Sequence, residues 1–162
     1  MRRAHKHKGF ALVEVVVALG IAATFFFSMM QFVNTSARVM RSERYARGAG
    51  LLAAEAEDGI RFLRDAGWTS NIVPVPSETT YYITQSGNTM TLSPSNPGLL
   101  NNLYTRTVVF HQVLRDAGGN VVQVGGSADA NSRRITVVVS WSAYNAQQSI
   151  TSDFYVNNTL RN

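Results

Sequence analysis

Cysteine is absent from the 162 residues. That excludes disulfide staples, thiolate zinc sites, CxxC redox chemistry and a cysteine nucleophile, so any folded domain here holds by packing alone. Proline is scarce as well: four in all, and none before Pro74. Histidine is limited to His5, His7 and His111. Two of these sit in a basic N-terminal stretch, which leaves one on a predicted strand, too little for a metal cluster or a histidine-based triad. No glycine-rich loop stands between a strand and a helix as a phosphate cradle requires, and Gly118-Gly119 and Gly125-Gly126 read as turns. Asp129 and Asn131 offer oxygens in a predicted loop over residues 125–132, but the spacing is not that of an EF-hand and the ligand count is low for calcium. Catalysis, a resident metal and a cofactor are therefore not expected.

What is present is unevenly distributed. Hydrophobic residues make up 45% of the chain, an ordinary share, yet residues 10–33 are nearly all apolar while the rest reads as a polar domain. The net charge of +5 and pI near 10 are concentrated too. Arg2, Arg3, Lys6 and Lys8 supply four of the fifteen basic residues, and without them the basic and acidic counts nearly balance. A nucleic-acid partner is not expected from a charge so placed. The length suits one modest domain plus an extension.

The apolar run follows a basic start, as in a secretory signal or a membrane anchor. At about 24 residues it would rise roughly 36 Å as a helix, enough to span a bilayer and longer than a signal's apolar region. No small-residue cleavage site follows it. The run is therefore read as an anchor, a single transmembrane helix. Glu14 breaks its apolar character, at a cost on the order of 2–3 kcal/mol at mid-helix and less near an end. Such a carboxylate either tolerates a headgroup position or is kept to meet a partner charge.

The stretch Lys8-Gly9-Phe10-Ala11-Leu12-Val13-Glu14 resembles the processing site of type IV prepilins and type II secretion pseudopilins. The resemblance implies cleavage between Gly9 and Phe10 by a prepilin peptidase at the cytoplasmic face of the inner membrane, and N-methylation of Phe10. Glu14 is then the family's fifth-position glutamate, pairing with the amine of a neighbouring subunit's Phe10 during assembly. The partners implied are other pilins or pseudopilins, the peptidase, the membrane, and an inner-membrane assembly platform with its motor ATPase. Before assembly the N-terminus would be cytoplasmic and the head outside; afterwards the subunit would sit in an extracellular or periplasmic filament. The family's major pilins often carry a proline about twenty positions into the mature helix and a C-terminal disulfide loop. Both are missing, which points to a minor pilin or a pseudopilin.

The remaining pattern predicts an α+β fold. No proline interrupts residues 34–66, and Leu52, Ala56, Gly59, Ile60 and Leu63 share one face, with Glu57, Arg61 and Arg64 opposite. Gly48 and Gly50 mark either a weak point or a close contact. Arg38, Arg41, Arg44 and Arg47 form a basic strip, read as a solvated face or as a contact for Glu55, Glu57 or Asp58 of an adjacent subunit. Gly67 ends the helix. Prolines mark loops over 72–78 and 94–98. A hairpin is predicted from residues 79–84 and 89–92, then strands over 104–114 and 121–124. Ile135, Val137, Val139 and Trp141, and later Ile150, Phe154 and Val156, alternate with polar residues as in an antiparallel sheet with one buried face. The organisation expected is a leader 1–9, an anchor and assembly helix 10–66 and a β-rich head 67–162. The competing expectation is an uncleaved, permanently anchored binding module, a DNA or surface receptor. For DNA it would need Arg106, Arg115, Arg133 and Arg134 as an exposed cluster on the head.

Overall fold

The computed structural model describes residues 8–87 and 89–159, and the side chains of all of these except residues 8–11 and 86. Helix α1 (Lys8–Ala66) is followed by the short α2 (Trp68–Asn71). Then come strands β1 (Thr80–Ser86), β2 (Thr89–Ser93), β3 (Tyr104–Arg115), β4 (Val121–Val122), β5 (Ser127–Ala143) and β6 (Ala146–Asn157). The fold is α+β: one long N-terminal helix and a six-stranded, wholly antiparallel sheet. Its strand order is β2-β1-β3-β5-β6, with β4 beside the end of β3. Contacts divide the chain into two units, with the boundary between Arg44 and Tyr45.

In the first unit the helical residues expose their apolar side chains on every side. Leu12, Phe25, Phe27, Met30 and Phe32 are all open to the surroundings. The hydroxyls here turn back on the helix: Thr24 Oγ1 donates to the Ile21 carbonyl and Ser28 Oγ to the Thr24 carbonyl, both at 2.8 Å. That leaves no hydroxyl proton seeking water. Among the described residues one helix is long and apolar enough to cross a membrane, and none of its most apolar stretch is buried.

The second unit, residues 45–159, contains the core. Ala49, Ala53, Ala56, Ile60 and Leu63 repeat at helical spacing and lie against the sheet's inner face, formed by Tyr104, Val108, Phe110, Ile135, Val137, Val139, Trp141 and Val156. The stripe foreseen on residues 52–63 is therefore the packing stripe, extended one turn earlier by Ala49. Small alanines let the helix lie close to the β-branched surface. Trp68, also buried, donates Nε1–H to the Ala130 carbonyl at 3.2 Å and ties α2 to β5.

The helix runs unbroken through Gly48 and Gly50. Gly48 is a close contact: a Cβ there would fall on the Tyr104 hydroxyl, which donates to the Tyr45 carbonyl at 3.1 Å. Gly50 faces open space. Gly67 does end α1, but at φ 156° and ψ 109°, not in the compact left-handed conformation of the common glycine stop; a Cβ there would meet Ser70 Oγ at 2.5 Å.

Two expectations need correction. Residues 127–132 are not loop but the beginning of β5, paired through Leu114↔Ala128 and Arg115↔Ser127 across a bulge between Gln112 and Leu114. The polar residues misled because the added pairing is held by side-chain bonds of Arg115 and Asp129, not by apolar alternation. The rival DNA-binding reading needs Arg106 exposed, and it is instead buried on the inner face, its side chain 3% accessible. Its Nη1 donates to the Leu52 carbonyl at 2.9 Å and meets Glu55 Oε1 at 3.2 Å, while Nη2 reaches the Ile83 carbonyl at 3.4 Å. One guanidinium thus links α1, β1 and β3.

Two sets of variants test these contacts on the full chain in detergent. Arg106→Met leaves two carbonyls without their donor but lets the half-exposed Glu55 return to water, so a loss of about 1–2 kcal/mol is expected. Glu55→Gln leaves the buried Arg106 charge without its carboxylate and should cost on the order of 2 kcal/mol. Gly50→Ala should stabilise by up to about 1 kcal/mol, whereas Gly48→Ala should destabilise, because the Tyr104 hydroxyl occupies its space. Thermal denaturation of the four variants gives the order directly.

Candidate functional site

Two regions hold side chains arranged for more than packing: the start of α1 and the outer face of the sheet. In the first, residues 1–7 of the expected leader lie outside the described residues, as do the side chains at the expected cleavage point, Gly9 and Phe10. The backbone is helical from Lys8 onward, so the Gly9–Phe10 bond belongs to the helix. Glu14 is on the same helix with an exposed side chain, among the equally exposed Leu12, Val13, Val15, Val16 and Val17. No hydrogen-bond or ion-pair partner of its carboxylate is found among the described residues. Chemically this is a lone carboxylate on an otherwise apolar cylinder, and a cation is what it lacks.

The second region lies on the outer faces of β3, β5 and β6. His111 Nδ1 lies 2.8 and 2.9 Å from the two Glu78 oxygens, and its Nε2 lies 2.9 Å from Thr136 Oγ1. Thr136 Oγ1 in turn donates to Asp153. The backbone aligns the group, since Thr136 pairs with both Val109 and Asp153 in register. Glu78 takes a positive φ of 59°, and its N–H donates to the Phe110 carbonyl at 2.8 Å.

Thr136 turns its hydroxyl proton to Asp153, and the His111 ring bridges Glu78 and Thr136, so the four side chains tie the segment before β1 to β3, β5 and β6. The network fixes the rim of a cavity of about 430 Å³ between the start of β1 and β4, also lined by Arg134 and Tyr155. His111, the one histidine on a predicted strand, is part of this brace. No local pattern announces it, since Glu78 and His111 are 33 positions apart and meet only through sheet register.

Asp129 is likewise explained by a protein partner. Its Oδ2 accepts from Arg115 Nε at 2.6 Å and from Ser132 Oγ at 2.7 Å, and Oδ1 accepts from the Asn131 N–H at 2.9 Å. A guanidinium occupies the place a cation would take, and no group of metal-ligating side chains occurs among the described residues. The bond to Arg115, then that to Ser132, holds the carboxyl down at about 2. The four arginines weighed as a nucleic-acid surface do not cluster. Arg106 is buried, Arg115 is engaged by Asp129, and Arg133 and Arg134 are consecutive strand residues projecting to opposite faces.

Comparison with protein-family models, with curated proteins and with solved structures returned no match. The class that the molecule itself defines is an α+β chain with one N-terminal helix fit to span a membrane.

The Asp129 pair yields a pH prediction. A carboxyl held below its unfolded value stabilises the fold above that value, near pH 4, and the contribution fades as pH falls from about 4 to about 2. Asp129 is largely shielded, its side chain 16% accessible, so on the order of 2 kcal/mol is at stake. Asp129→Asn should therefore be less stable than wild type at pH 6. The gap should close by pH 2, as read by denaturant midpoints at the two pH values.

Proposed function

We propose that this chain is a structural subunit of a type IV pilus or a type II secretion-like pseudopilus, a minor pilin or pseudopilin. In this reading a prepilin peptidase removes residues 1–9 and methylates Phe10, and the subunit assembles through its N-terminal helix. The observation that carries it is the carboxylate of Glu14. It is the one acid among residues 10–33, a stretch otherwise sheathed in exposed apolar side chains, five residues beyond Gly9 in the prepilin-like motif, with no partner in its own chain among the described residues.

The physical role follows from charge. In a filament core of packed apolar helices, an unpaired carboxylate is expensive, so only a register that sets a neighbour's Phe10 amine beside it is favoured. Glu14 then selects the register more than it strengthens the assembly. Before assembly the same helix holds the subunit in the inner membrane, N-terminus inside and head outside, where the assembly platform collects it. The head carries the contacts that differ from one pilin to the next.

Glu14→Ala and Glu14→Gln test this in the native host. Both should leave leader removal intact and reduce incorporation into sheared filaments at least about tenfold, which corresponds to ~1.4 kcal/mol of lost pairing. Incorporation equal to wild type would remove the register role and, with it, the main support for the assignment.

A further inference from the structure

A second face of α1, apart from the stripe that packs on the sheet, is left open in the head. Leu51, Glu55, Asp58 and Phe62 follow one another at helical spacing. With Met90 of β2 they line a groove of about 750 Å³. Met90 reaches the helix because Gly59 has no Cβ: one placed there would collide with the thioether. Leu51 is 74% exposed and Phe62 52%, large values for apolar residues beside a formed core.

The groove's charge has one sign. Two carboxylates line it and no lysine or arginine does. Glu55 is held from beneath by Arg106. Asp58 has no partner among the described residues, so it is the charge left over. A surface of this kind fits a helix that presents a long apolar side chain with a cation one turn away.

The same sequence contains that helix. On α1, Met40 is 69% exposed, and Arg44 lies on the same side one turn on, at i+4, with Arg41 on the adjoining face. Both arginines are exposed and neither has a partner among the described residues. We propose that the groove receives the Met40–Arg44 turn of a second copy of this chain. Met40 seats against Phe62 beside Met90, where its thioether meets an aromatic ring, and Arg44 pairs with Asp58. This rests on the subunit reading and adds the element that Glu14 does not supply: a contact between one copy's helix and another copy's head. Donor and receiving surfaces are different segments, so the contact is heterologous and propagates along a row of copies instead of closing a pair.

The cysteine-free chain makes the test direct. Met40→Cys and Phe62→Cys variants, differently tagged and otherwise full-length, are co-expressed in the native host, and sheared filaments are oxidised mildly. A mixed Met40→Cys/Phe62→Cys dimer should exceed either homodimer by at least about tenfold. Asp58→Arg should reduce it by about the same factor, and adding Arg44→Asp should restore it. Met90→Cys, on the facing wall of the groove, replaces Phe62→Cys if the latter fails to fold. Filaments that contain both variants yet give no excess of mixed dimer overturn this inference and leave the subunit reading standing. Homodimers alone, or a mixed dimer indifferent to Asp58→Arg, also overturn it. Wild-type chain absent from filaments overturns both.

Discussion

The first constraint on this molecule is an apolar helix with nothing of its own to cover it. Fourteen large apolar side chains between Leu12 and Val33 are exposed. At about 1.5 kcal/mol or more for each such side chain left in water, the sum is on the order of 20 kcal/mol. That exceeds the whole stability of an ordinary domain, roughly 5–15 kcal/mol. A helix so exposed suits a lipid phase, or contact with apolar helices of other molecules. Both environments penalise Glu14, and in the second a neighbour's cation removes the penalty. The proposed life of the chain, first in a membrane and then in a fibre, moves it from the first environment to the second.

The head solves a different problem, that of holding a helix to a sheet without disulfides. Apolar packing provides the bulk of it, through the alanine stripe and the valines and isoleucines facing it. Position is then fixed by a few polar contacts that cross between elements: Arg106 to Leu52, Ile83 and Glu55, Tyr104 to Tyr45, and Trp68 to Ala130. Apart from the ion pair with Glu55, each carries a donor from sheet or α2 to a backbone carbonyl elsewhere. Net gains of about 1 kcal/mol apiece are modest, but leaving such carbonyls or the Arg106 charge unmet would cost more. These bonds act chiefly on where the helix sits.

Much of this was legible from periodicity. The helical stripe, the change to period two beyond residue 79, and the buried Ile135–Val137–Val139–Trp141 row all follow from which residues recur at which spacing. The misreadings share a cause. Arg106 occupies an inward strand position, which alternation assigns to an apolar residue; only the helix carbonyl opposite makes the guanidinium acceptable. The start of β5 is polar because Arg115 and Asp129 hold it. The turn from β5 to β6 uses Tyr144 and Asn145, both at positive φ, so no glycine announced it. Gly48 could be read as weakness or as contact until Tyr104 was placed against it. The Glu78–His111–Thr136–Asp153 chain depends on three strands in register. The N-terminal motif was legible as a short string, and its chemistry depends on molecules outside the chain.

The central claim is that this chain is matured and polymerised as a pilin, and the intact mass of the protein recovered from native membranes or sheared filaments tests it most directly. The account predicts a chain that begins at Phe10, lacks residues 1–9 and carries one added methyl group. A full-length, unmethylated chain would contradict it and would leave a permanently anchored membrane protein in its place.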